Sequence, residues 1–164
     1  MSGATPAPEV RWLDDEEQRA WRAILRSSHL LRLAMEEALD RHDVSMGEYE
    51  LLSMVSEAPG ARMRMSALAE LVVQSRSRVS HTATRLERRG WVRRDRSTDD
   101  GRGVMLALTD EGLRMIGELA PVHVESVRQA LLDHLSREEL LAYGELMARV
   151  VRANRGQDQA SDVI

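Results

Sequence analysis

The sequence predicts a mainly α fold with one small β-hairpin, and three observations carry that prediction. Apolar residues recur at helical spacing over long stretches at both ends of the chain. Serine or threonine stands where several helices must begin, twice with glutamate three residues on. Two strand-like segments, Trp91 to Arg96 and Val104 to Leu108, flank a polar turn that holds two glycines.

Each element follows in order. The first eleven residues carry Pro, Ala and Gly without periodicity and are expected to be a disordered tail. From about Asp14 to His42, Trp21, Ile24, Leu25, Leu31, Met35, Ala38 and Leu39 form a helical stripe, which Leu30, Leu33 and Ala34 widen beyond a narrow seam. So wide a stripe needs more than one packing partner. Ser45-Met46-Gly47-Glu48 has capping-box spacing and opens a second helix bearing Leu51, Leu52, Met54 and Val55, closed by Pro59-Gly60. Ser66 is expected to cap a short helix through Leu68, Ala69, Leu71 and Val72, and Ser75 to cap the next. That next helix should bury Val79, Ala83 and Leu86 and stop at a left-handed Gly90, with Trp91 packed back on Leu86.

Residues 97–103 join the two strands into a hairpin. Thr109 then caps a long helix from Asp110, with Leu113, Ile116, Ala120, Val124, Val127 and Leu131 on one side and a kink at Pro121. Ser136-Arg137-Glu138-Glu139 is a second capping box and starts a last helix bearing Leu140, Tyr143, Met147, Val150 and Val151. Residues 155–164 are mostly polar, open near Gly156 and are expected to be a second disordered tail.

Helix, turn, helix and glycine-bounded hairpin make a winged helix-turn-helix over about residues 45–109, inside a domain of residues 12–154. The fold class is therefore mainly α with a small β-hairpin wing, flanked by N- and C-terminal helices at about 14–42 and 110–154. Their apolar faces exceed what one small winged helix can cover. They are expected to be dimerisation helices of a homodimer.

Charge is the second line of argument. Residues 62–102 hold eleven arginines against five acids, a balance of +6 in a chain whose formal total is −4. An acidic body with one basic face suits a protein that docks on a polyanion there and nowhere else. All 23 basic residues are arginine, and there is no cysteine, which excludes disulfides, thiolate metal sites and thiol redox sensing. No apolar run approaches the ~18–20 residues that span a bilayer, and the N-terminus lacks a signal-peptide pattern, so a cytoplasmic protein without a membrane partner is expected. His29, His42, His81, His123 and His134 lack close-ligand spacing, so neither metal nor cofactor is expected. No nucleophile-base constellation or phosphate loop is present, which argues against an enzyme.

With Val79 turned inward, Ser77, His81, Thr84 and Arg88 face outward on the helix after Ser75, and Arg78 and Arg85 lie along one flank. An isolated Arg/Ser face is ordinarily only solvated. The helix-turn-helix before it and the hairpin after it turn it into a groove-reading surface, since arginine pairs with guanine and serine, threonine or histidine meets base edges or phosphates. Ser75, Arg76 and Ser80 belong to the same expected double-stranded DNA contact set. Arg94 and Arg96 are expected at phosphates. Arg102, between Gly101 and Gly103, is expected to enter a narrow minor groove with Asp100 holding its guanidinium.

The run Leu86-Glu87-Arg88-Arg89-Gly90-Trp91-Val92, then Asp100-Gly101-Arg102, then Leu108-Thr109-Asp110-Glu111-Gly112, resembles the MarR family of bacterial winged-helix regulators across roughly residues 14–154. The resemblance implies a homodimer built from the first and last two helices, bound to a pseudo-palindromic operator. It also implies a repressor released by a small phenolic or other aromatic ligand. The chain departs from the pattern where many members have two arginines after the wing aspartate, since Gly101 stands before Arg102. For an organic effector, Trp21, His29, Arg32 and Tyr49 are candidates by chemical type, stacking plus a cation, although each residue type also fits a core or an interface. A winged-helix module that docks on an acidic protein, or a DNA-binding protein without ligand response, remains the alternative.

Overall fold

Hydroxyl and carboxylate caps set most of the helix starts. The structure is a computed structural model that describes residues 10–72, 74–96 and 103–161, with side chains through residue 154. Its elements are α1 Asp15–Asp40, α2 Met46–Glu57, β1 Arg62–Arg64, α3 Met65–Leu71, α4 Arg76–Arg88, β2 Val92–Arg96, β3 Val104–Leu108, α5 Asp110–Ala130 and α6 Arg137–Ser161. Asp14 and Glu17 form a reciprocal capping box at α1, and Ser45 with Glu48 forms another at α2. Ser75 accepts from the Arg78 amide, Thr109 from the Gly112 amide and Ser136 from the Glu139 amide.

Helix α3 departs from the expectation. Its N-cap is Arg64, with no side-chain cap, and Ser66 lies inside the first turn. The cause is strand β1, which the sequence pattern does not predict: it runs straight into α3, and its pairing with β3 decides where the helix begins. Three residues are too few for a period-two pattern to register. The sheet has the order β1-β3-β2 and is antiparallel throughout, with Met63 opposite Leu106 and Arg94 opposite Leu106 on the other side.

One core holds the reader together. Leu51, Leu52 and Val55 of α2, Leu68 of α3, Val79 and Leu86 of α4, Leu106 of β3 and Leu119 of α5 are fully buried, as is Leu39 at the end of α1. Each contributes about 1.5–3 kcal/mol relative to exposure. Two glycines join α4, the hairpin and α5. Gly90 has φ +75° and closes α4 in a Schellman motif, its N–H donating to Glu87 O and the Trp91 N–H to Leu86 O. The Thr109 hydroxyl donates to Gly90 O at 2.6 Å, and a Cβ on Gly112 would stand 2.0 Å from Trp91 O, so only glycine permits this approach.

The flanking helices contrast with this core. Leu39 is the only buried residue of α1, while Trp21, Leu25, Leu30 and Leu33 are exposed. On α5 the buried face is Gly112, Ile116, Leu119 and Ser126, whereas Leu113 and Val124 of the expected stripe are exposed. That helix is apolar on two faces, and only one meets α1 and α2. Leu141, Leu146, Val150 and Val151 of α6 are exposed as well. Helix α6 also continues past Gly156 to Ser161, beyond the expected end at residue 154; a glycine costs a helix interior about 0.5–1 kcal/mol and need not stop it. No helix among the described residues is long and apolar enough to cross a membrane.

Candidate nucleic-acid interface

Helix α4 turns Val79, Thr82, Ala83 and Leu86 into the core and presents the opposite face. Arg76, Ser77, Arg78, Ser80, His81, Arg85 and Arg88 are exposed, Ser75 is an exposed cap and Thr84 is half-buried. Of the outward set that the sequence predicts, Ser77, His81 and Arg88 are exposed, whereas Thr84 is half-buried and bonded to Arg94. Arg76, Arg78 and His81 have no side-chain hydrogen bond or ion pair among the described residues, so their donors are available to a ligand. The Ser75 oxygen accepts from the Arg78 amide in its cap, which leaves its O–H free to donate.

The C-terminal part of α4 is engaged differently. Arg85 Nε donates to Glu48 Oε1 at 3.3 Å and its terminal nitrogen to Ser45 Oγ at 3.4 Å. Arg89 donates to Asp43 O at 2.7 Å and Asp43 Oδ2 at 3.1 Å, approaches Glu48 to 3.9 Å and lies 4.0 Å over the Trp91 ring. Two arginines thereby tie α4 to the corner between α1 and α2, where Asp43 is itself left-handed at φ 58°. The hub is Glu48, whose side chain is 8% exposed. Burial alone would raise its carboxyl, but the Ser45 amide, the Ser45 hydroxyl and Arg85 outweigh burial and hold it below the usual value of 4.5. Sequence reasoning identifies Glu48 as a helix cap and misses this second role, because its partners arrive 37 residues or more later.

Arg94, expected at a phosphate, is occupied within the protein. It donates to Glu87 Oε2 at 2.7 Å, Ser80 O at 2.9 Å and Thr84 Oγ1 at 3.0 Å. Arg96 is exposed and has no partner among the described residues. Arg102 and Asp100 lie outside the described residues.

A cavity of about 660 Å³ separates the end of α1 and the start of α2 from α4. Glu36, Asp40 and Glu50 line one wall, and Ser77, Arg78, His81 and Arg85 the other. Glu50 is pushed above the usual carboxyl value by burial, partly offset by Gln74, whose amide donates to it at 2.8 Å. The four effector candidates do not converge on this space. Trp21 is exposed on α1, and Arg32 pairs with Glu36 at 2.7 Å and contacts His29 at 3.2 Å. Tyr49 is buried against His123 with ring centroids 4.3 Å apart. Residue type alone does not separate an aromatic that packs a core from one that lines a cleft. The described residues include no group of three or more metal-ligating side chains.

Comparison with known proteins adds independent findings. The family model described as MarR family matches residues 44–104. The crystal structure of AbsC, a MarR family transcriptional regulator from Streptomyces coelicolor, is 41% identical with a TM-score of 0.86, the match covering 90% of this chain and 99% of that one. Sco3205, a MarR family regulator from the same organism whose structure is a complex with DNA, is 40% identical with a TM-score of 0.84, covering 90% and 92%. The HTH-type transcriptional regulator PecS of Dickeya dadantii (strain 3937) is 30% identical over 140 residues, 84% of this chain and 83% of that one.

Proposed function

Since the chain belongs to the MarR family of transcriptional regulators, we propose that it acts as a homodimeric repressor of a pseudo-palindromic operator, released by a small aromatic or phenolic ligand. One observation carries the DNA-reading part: the exposed start of α4, where Arg76, Arg78 and His81 form no ion pair among the described residues and stand beside Ser77 and Ser80 on an otherwise acidic protein. Side chains of these types pair with base edges and phosphates in a major groove. Arg96 and Arg102 extend the contacts along the hairpin, the latter by its sequence position between two glycines.

The unburied apolar faces of α1, α5 and α6 support a homodimer. Exposed Leu, Val and Trp side chains recur along all three helices, and large exposed apolar patches are ones that monomers rarely keep. Two-fold symmetry sets the two α4 helices about one DNA turn, roughly 34 Å, apart. The cavity between α1, α2 and α4 supports ligand control, because an occupant would touch Ser77, Arg78 and His81 while they are needed for DNA.

Sequencing the duplexes that the purified protein selects from a random pool tests the reading, with a two-fold-related motif expected. Sedimentation is expected to give a dimer, and a stable monomer at micromolar concentration would defeat the symmetric proposal. Aromatic acids titrated into the protein–duplex complex are expected to release the DNA; intact complexes across such a panel would leave a regulator without this ligand response.

A further inference from the structure

Strand β2 reaches the middle of α4 through a single side chain. The Arg94 guanidinium meets Ser80 O, Thr84 Oγ1 and Glu87 Oε2 within 3.0 Å, and its backbone N–H donates to Glu87 Oε1 at 3.3 Å. Those acceptors lie at i, i+4 and i+7, so the guanidinium spans one helical face over two turns. The donors and acceptors are mutually consistent. Thr84 donates its hydroxyl proton to Ser80 O at 2.9 Å, which leaves Thr84 Oγ1 free to accept from Arg94.

We propose that Arg94 is the positioning residue that fixes α4 against the hairpin, so that helix and wing address DNA in one geometry, and that it is not a phosphate contact. The proposal rests on the DNA-binding reading above. Its own argument is local. A carboxylate at 2.7 Å already offsets the charge of Arg94, whereas Arg76 and Arg78 have no such partner among the described residues. Strand β2 is held in turn, because Arg94 is paired with the fully buried Leu106 of β3. The position of the sheet is thus passed to α4 by a planar fork that reaches three acceptors at once. A lysine supplies the same charge as a single point and cannot span them.

The test uses a salt series on the selected duplex and on a scrambled one, with full-length Arg94→Ala, Arg94→Lys and Glu87→Gln. Arg94→Lys is expected to lose operator affinity about tenfold or more, as Arg94→Ala does, with scrambled-duplex binding and the salt slope unchanged. Glu87→Gln removes one acid and should also weaken operator binding. Two results overturn the proposal: Arg94→Lys keeping wild-type affinity while Arg94→Ala flattens the salt slope by about two for a dimer, or Glu87→Gln tightening both duplexes. Should Arg94→Ala fail to fold, Arg94→Lys and Glu87→Gln still decide. Failure of the DNA-binding reading itself looks different, since the wild-type protein would then select no duplex.

Discussion

The two halves of α4 carry the same kinds of residue and use them in opposite ways. From Arg76 to His81 the polar side chains have no partner elsewhere among the described residues, apart from the Ser80 carbonyl that Arg94 reaches. In the C-terminal part Thr84, Arg85, Glu87 and Arg89 hydrogen-bond to the α1–α2 corner or to β2, while Arg88 stays exposed. An arginine is worth more to a ligand when no carboxylate stands beside it, and more to the fold when one does. On the proposed function, the first half is free to meet DNA and the second holds the helix in place. The partners that packing brings near, and not residue type, decide which role an arginine takes.

The largest effect is expected at the hub of the aimed half. Glu48→Ala removes a helix cap and a buried acceptor for Ser45 and Arg85, and is expected to cost about 2–4 kcal/mol in urea denaturation at neutral pH. Because the folded carboxyl lies below its usual value of 4.5, its stabilisation is fully present above that value and is lost as pH falls through the folded value. The gap between wild type and Glu48→Ala should therefore narrow only under acid conditions. Equal stability of the two proteins at pH 7 would show that the clamp holds nothing.

The free half should behave in the opposite way. Arg78→Ala is expected to lower operator affinity by about 1–3 kcal/mol while leaving folding stability within about 0.5 kcal/mol of wild type. A substantial drop in stability would give Arg78 a structural role and blur the division of the helix. Arg76→Ala, at the start of α4 where the proposed function places a phosphate, should flatten the slope of log affinity against log salt by about two in a dimer. An unchanged slope would remove Arg76 from the phosphate contacts.

Arg85 stands at the boundary and gives a smaller stability effect than Glu48. Its side chain is 54% exposed, so Arg85→Ala should cost less than about 1 kcal/mol of stability. His81→Ala should leave stability unchanged and lower the ratio of operator to scrambled affinity. If Arg85→Ala lowered that ratio as much as His81→Ala does, the boundary between the two halves would move toward the C-terminus of α4.

Much of the fold is legible in the amino-acid sequence. The caps at Ser45, Ser75, Thr109 and Ser136, the Gly90 stop with Trp91 behind it and both hairpin strands follow from local chemistry that neighbouring residues complete. The outward face of α4 follows from placing Val79 in the core. Three features are not legible there. Strand β1 owes its existence to the free edge of β3, Ser66 loses its capping role to that strand, and the stripe on α5 splits between two faces because the helix is apolar on both.

Local sequence is enough to set the order of elements, the basic face on an acidic chain and the side chains turned away from the core. These depend on periodicities and caps within a few residues of one another. Which arginines remain free is a property of packing in three dimensions. Arg85 and Arg89 meet Glu48 and Asp43, and Arg94 meets Glu87, Thr84 and Ser80, only after α2, α4 and β2 have packed on one core. An ion pair depends on distance in space, and residues separated by seven to 46 positions carry no local sign that they will meet.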